Sequence, residues 1–142
     1  MLNYKIPALT NSIFNTALEV RIYDINYGNH LGHDSLISLL HEARIRFLRH
    51  FGYTESNIKG FGVLVTNLVV NYLQQAFYAD KIIITIGIDN ISRTSFELLY
   101  QVTHHETKKE IARALTTITL YDYENAKIAK IPEEFLELIK KS

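Results

Sequence analysis

The 142-residue chain contains no cysteine, which excludes disulfide scaffolds, thiolate-held metals and cysteine nucleophiles together. A chain without cysteine suits a reducing compartment, and a cytoplasmic location is the expectation. Charge of one sign is also missing: fifteen Lys and Arg balance fifteen Asp and Glu. A surface so balanced has no general attraction for nucleic acid or anionic membranes. Neither is an expected partner, and a phosphate-bearing ligand must be held by a few local charges. No apolar run approaches the roughly 20 residues that span a bilayer, and Met1-Leu-Asn-Tyr-Lys-Ile-Pro7 has neither the charged start nor the apolar stretch of a signal peptide. The two prolines lie near the ends, and no repeat or Pro/Gly/Ser-rich linker interrupts the chain. One domain over residues 1–142 is therefore expected. The 47% hydrophobic and 21% charged residues are those of an ordinary globular protein, which at this length buries about two-thirds of its unfolded surface.

The pattern of apolar residues separates strands from helices. Ala17 to Tyr23 alternate, with Leu18, Val20 and Ile22 on one side, as a half-buried strand does. Asp24 to His33 is polar, with two glycines and two asparagines, and reads as a loop. From Asp34 to Phe51 the period becomes helical, with Leu36, Leu39, Leu40, Ala43, Phe47 and Phe51 at spacings of three and four. Ile37, Ile45 and Leu48 widen that stripe, so the helix is expected to be covered on more than one side. Asp34 or His33 can cap its start and Gly52 its end. Strands follow at Gly62–Tyr72, Lys81–Asp89, Ser95–Thr103 and Ile111–Tyr121, and Pro132 opens a short helix through Leu138. The order predicts an α+β fold, a single hotdog domain in which an antiparallel β-sheet wraps a long central helix. Open strand edges make self-association as a dimer or tetramer an expectation.

Tyr23-Asp-Ile-Asn-Tyr-Gly-Asn-His-Leu-Gly-His33, followed by Leu39-Leu-His-Glu-Ala-Arg-Ile-Arg-Phe47, resembles the signature of the 4-hydroxybenzoyl-CoA-thioesterase-like acyl-CoA thioesterases. In that family an Asp-x-Asp element ends the first strand, a Gly-His-rich turn follows, and the helix carries Glu-x-Arg. Val69-Val-Asn-Tyr72 is similar to the strand before the family's Gly-acidic turn, here Tyr78-Ala-Asp80. Ile91-Ser-Arg-Thr-Ser95 is similar to the start of a strand whose polar side chains lie near the pantetheine. The resemblance covers about Leu18 to Leu138. It implies a thioester of coenzyme A or of an acyl carrier as substrate, fatty or aromatic in its acyl part, hydrolysed without a separate cofactor.

Residue by residue, the resemblance has one gap: the second acid of Asp-x-Asp falls on Asn26. An amide is neither nucleophile nor base near neutral pH, but it can orient water or donate to a thioester oxygen. The water-activating acid is then expected at Glu42 or Asp24. Asp24 shares a face with Asn26 if the strand continues that far, and otherwise forms a turn through nearby amides. Glu42 lies two turns into the helix near the apolar stripe, and alternatively pairs with Arg46 at i,i+4. His30 is a candidate base or donor, set against loop packing, and the same reading for His33 is capping. The two histidines have no third ligand at fixed spacing, so no metal site is expected. Substrate contacts are expected from Tyr27, from backbone amides at Gly28, Asn29 and Leu31 facing an oxyanion, and from Arg93, Thr94 and Ser95 along the pantetheine arm. Tyr53, Tyr72 and Tyr78, with Tyr27, read as core or interface residues. The tip of the last hairpin, with His104, His105, Lys108 and Lys109, reads as exposed. Two other functions remain open. R-specific enoyl-CoA hydratases of the same fold carry an Asp-x-Asn-Pro-x-His element that Asp24, Asn26 and His30 resemble without the proline and with the histidine one residue further on. A non-catalytic acyl-CoA-binding domain is the third reading.

Overall fold

The computed structural model of the protein describes residues 4–140. Its elements are β1 (Ser12–Glu19), a single 3-10 turn (Ile22–Asp24), α1 (His33–His50), β2 (Gly62–Tyr72), β3 (Lys81–Asp89), β4 (Ser95–His104), β5 (Glu110–Asp122), β6 (Lys127–Ile128) and α2 (Glu133–Lys140). The long strands form one antiparallel sheet in the order β1-β3-β4-β5-β2, with the two-residue β6 paired to β5. The sheet curls over α1, the arrangement called hotdog.

Alternation places the core. Ile82, Ile84 and Ile86 of β3, Phe96, Leu98, Tyr100 and Val102 of β4, and Ala112, Ala114, Ile118 and Leu120 of β5 are all buried. They meet Leu36, Leu39, Leu40, Ala43 and Phe47 of α1 in one cluster. A register shift between Val65 and Asn67 keeps β2 in phase with that face: Leu68 pairs with Thr116 and Val65 with Ile118, so both stay on the helix side. The helix ends as expected of Gly52, which has φ 87°. Its N–H bonds to Arg49 O at 3.0 Å and Tyr53 N–H to Leu48 O at 2.9 Å, the paired bonds of a Schellman motif. α2 inserts the buried Phe135 beside Tyr53 and Phe96. No helix among the described residues is long and apolar enough to cross a membrane.

One expectation changes, and one feature lies outside those expectations. The first strand lies earlier, at Ser12–Glu19, and does not run to Tyr23. Val20 is buried as expected, but Ile22 is exposed, because Asp24 Oδ2 accepts from Arg21 N at 2.8 Å and turns the backbone out of the ladder. The outer face of the sheet is not bare either. Residues 4–11 cross it as a strap: Asn71 Oδ1 accepts from Ile6 N at 2.7 Å, Asn71 Nδ2 donates to Tyr4 O at 2.9 Å, and Arg113 Nη1 donates to Ile6 O at 3.0 Å. Ile6 thereby covers Leu99 and Leu115.

Candidate functional site

After Asp24 the chain makes a small hairpin, closed by a bridge between Ile25 and Leu31. Asn26 organises its interior. Its Oδ1 accepts from Gly28 N at 3.0 Å and from His30 N at 3.4 Å, and its backbone carbonyl accepts from Asn29 N at 3.0 Å. Both partners of Oδ1 are donors, so the oxygen is the fixed atom and Nδ2 remains free to donate. Leu31 N donates to Ala76 O at 2.7 Å, and Gly32 N donates to Asp24 O at 2.9 Å. The amides of Gly28, Asn29 and Leu31, expected to face an oxyanion, are therefore occupied within the protein.

The open amides come next in the chain. α1 starts at an extended Gly32 with no side-chain cap, in place of the expected capping by His33 or Asp34. Leu36 N is the first helix amide to reach a carbonyl, Gly32 O at 3.0 Å. Among the described residues the N–H groups of His33, Asp34 and Ser35 have no protein acceptor. These donors, with the positive end of the helix dipole behind them, suit a carbonyl oxygen that gains charge.

They open beside a groove of about 370 Å³ lined by His30, Leu31, His33, Tyr72, Leu73, Gln74 and Gln75. The Tyr72 hydroxyl donates to His33 O at 3.3 Å, and the two rings meet edge-on with centroids 4.4 Å apart. Burial, followed by the charge of Asp34, raises the Tyr72 hydroxyl above its ordinary pKa, so it stays protonated as a donor. His30 Nδ1 lies 3.1 Å from Leu31 O. A carbonyl needs a donor there, which puts the proton on Nδ1 and leaves Nε2 as an acceptor.

The remaining candidates separate. Asp24 is buried and its carboxylate is taken up by Arg21, through N at 2.8 Å and through Nε and Nη2 at 3.3 Å. It is the last residue of the 3-10 turn and not part of a strand, so the alternation expected to set it on one face with Asn26 is absent. Glu42 is exposed rather than desolvated and pairs with Arg46 Nε at 2.8 Å. Arg46 in turn reaches Thr16 Oγ1 at 2.9 Å and Ala17 O at 3.0 Å. Glu42 thus lies on the β1 side of α1, in a separate hollow with Leu18, Arg21 and Ser38. Tyr27 is fully exposed, and Tyr78 is exposed too, so of the two expected roles neither belongs to the core of one chain. Arg93, Thr94 and Ser95 sit at the other end of the sheet. Ser95 pairs with Thr119, whereas the groove end of β4 pairs Thr103 with Glu110. Eight residues of strand, about 26 Å, separate Ser95 from the groove end of β4. His104 is less exposed than expected of a hairpin tip: its Nδ1 accepts from Glu106 N and Thr107 N at 3.2 Å, and Nε2 lies 3.4 Å from Asp80 Oδ1.

Sequence reasoning passed over Asp34, read only as a cap, and Tyr72, read only as core or interface. The signal for Asp34 was its place in the first helical turn, where side chains lean back over the preceding residues. A polar column also runs through the core behind the groove. Arg44 Nε donates to Glu55 Oε2 at 2.5 Å, His41 Nε2 lies 2.7 Å from Glu55 Oε1, and the Tyr100 hydroxyl bonds Thr116 Oγ1 at 2.9 Å.

A model of the thioesterase-like superfamily matches residues 20–139. A protein of Aquifex aeolicus (strain VF5), provisionally named an esterase, is 29% identical over 123 residues, which cover 85% of this chain and 93% of that protein. The crystal structure of a 1,4-dihydroxy-2-naphthoyl-CoA thioesterase from Synechocystis is similar with a TM-score of 0.83 at 19% identity, over 90% of this chain and 96% of that one. A 4-hydroxybenzoyl-CoA thioesterase, in an Asp-to-Asn mutant complexed with 4-hydroxybenzoyl-CoA, has a TM-score of 0.78 at 17% identity, over 89% of this chain and 97% of that one. At such identities the structural likenesses establish the fold.

Proposed function

The chain belongs to the thioesterase-like superfamily, and from that premise we propose that it hydrolyses an acyl-CoA thioester, fatty or aromatic, to the free acid and coenzyme A. The observation that carries the reading is the uncapped start of α1, whose amides open near Asn26, free at its Nδ2, and beside the groove lined by His30, His33 and Tyr72. A thioester carbonyl set there receives hydrogen bonds that strengthen as its oxygen becomes an oxyanion. Asn26 holds the carbonyl or the attacking water, and Tyr72 and His30 form the wall. The names of the two enzymes described above, both thioesterases of aromatic acyl-CoA thioesters, support the substrate class.

The reading includes a two-fold dimer. β2 is an edge strand of the sheet, and Val65, Leu68 and Tyr72 on it, with Ile37 of α1, are large apolar residues left exposed. Antiparallel pairing of two such edges brings the Gly62 end of one β2 to the Tyr72 end of the other. Arg93, Thr94 and Ser95 of a second copy then approach this groove, where they can hold the pantetheine arm or a phosphate. Thiol release measured across acetyl-, hexanoyl-, palmitoyl- and benzoyl-CoA tests the proposal. Saturable release from at least one is expected, and no release from any by a folded sample would refute it.

A further inference from the structure

We propose that the carboxylate of Asp34 activates the attacking water, in place of the acid that relatives are expected to carry where this chain has Asn26; the inference rests on the thioesterase reading. Side chains of a helix lean toward its N-terminus, so Asp34 folds back over Gly32. The point where a Gly32 Cβ would stand lies 2.8 Å from Asp34 Oδ1 and 3.6 Å from Asn26 Cβ. Gly32 has φ −73° and ψ 154°, which any L-residue adopts. Its backbone does not call for glycine, so what glycine contributes here is space: a side chain at this position would meet the Asp34 carboxylate first and Asn26 next.

The acids around the groove differ in what holds them. Asp24 is taken up by Arg21, Asp80 by Phe77 N and His104, and Glu42 by Arg46. Asp34 has no hydrogen-bond or ion-pair partner among the described residues. Exposed at the start of α1, it is the free carboxylate that shares the surroundings of Gly32 with Asn26, and its charge reaches the Tyr72 hydroxyl.

The two side chains divide the work that one acid does elsewhere. Asn26 Nδ2 and the helix amides hold the thioester oxygen, while Asp34 takes a proton from water as its oxygen bonds the carbonyl carbon. The carbon–sulfur bond then breaks, the electron pair leaves on sulfur, and the proton passes from Asp34 to that sulfur. Water and thioester become acid and thiol, with nothing else consumed.

A carboxylate that only complements the helix dipole contributes to stability and not to turnover, which the following comparison separates. On the full chain, with the acyl-CoA it hydrolyses best, Asp34→Asn is expected to lower kcat by about 100-fold or more with KM changed less than about threefold. Asn26→Asp added to that variant should restore at least about tenfold of the loss by returning an acid to the neighbouring position. Asp34→Ser, which keeps a helix-starting residue, should lose the same activity while melting near the wild type. An active wild type whose Asp34→Asn variant stays within about threefold overturns the assignment alone. So does Glu42→Gln abolishing turnover while Asp34→Asn remains active. A folded wild type that hydrolyses nothing overturns the thioesterase reading and this inference with it.

Discussion

Asn26 is fixed through its oxygen and free at its nitrogen, and Asp34 is free because Gly32 lacks a side chain. Gly32→Ala puts a methyl group 2.8 Å from Asp34 Oδ1, and the flexible carboxylate can swing aside. Stability should therefore change by about 1 kcal/mol or less, while kcat falls by about tenfold or more; a thermal melt beside a kcat measurement checks the pair. The sequence made Asn26 legible, since the loop motif places an amide where an acid is expected. It left the direction of Asp24 open, because residues two apart share a face only on a strand, and Asp24 belongs to a 3-10 turn. Asp34 was hidden for a different reason. An aspartate opening a helix has an ordinary electrostatic role, and only its distance to Gly32 and Asn26 gives it another.

Among the elements, β3 and β4 were readable because alternation of Ile, Leu, Val and Phe marks a buried face, and β2 from its Val and Leu content in spite of the register shift inside it. β1 was not, since its limits depend on the Asp24 turn and on the strap that crosses the sheet. The strap meets the sheet at Gly87, where a Cβ would stand 2.5 Å from Asn11 O and 2.5 Å from Leu9 Cδ1. Gly87→Ala should push it off and lower stability by about 1–3 kcal/mol, seen as a shift in urea midpoint. The Arg44–Glu55 pair joins α1 to the loop after it, and Arg44 is buried. Arg44→Met strands the Glu55 carboxylate and should cost about 2 kcal/mol by the same measurement. Burial pushes the Glu55 carboxyl up, but the hydrogen bonds and charges of Arg44 and His41 outweigh it and hold its pKa below the ordinary value. A depressed folded pKa means stability that is complete above the ordinary glutamate range and lost as pH falls through the folded value. Glu55→Gln should thus melt with a flatter dependence on pH than the wild type on the acid side; an unchanged slope would show that the pair contributes nothing there.

At the scale of the whole molecule, the sheet-over-helix plan was expected from element order alone, and the proposed site extends beyond one chain. Arg93 to Ser95 and the groove lie at opposite ends of one sheet, so a site that uses both needs two copies. Val65→Asp and Leu68→Asp together place charge on the exposed apolar face of β2 and should convert a dimer to monomers in light scattering, with loss of turnover. Monomers that keep full activity would remove the second copy from the site. The central claim, water added to a thioester carbonyl, is read most directly from the product. With benzoyl-CoA or the preferred acyl-CoA in oxygen-18 water, mass spectrometry should find one labelled oxygen in the released acid, appearing in step with free thiol. Unaltered acyl-CoA, or label taken up without thiol release, would contradict the account.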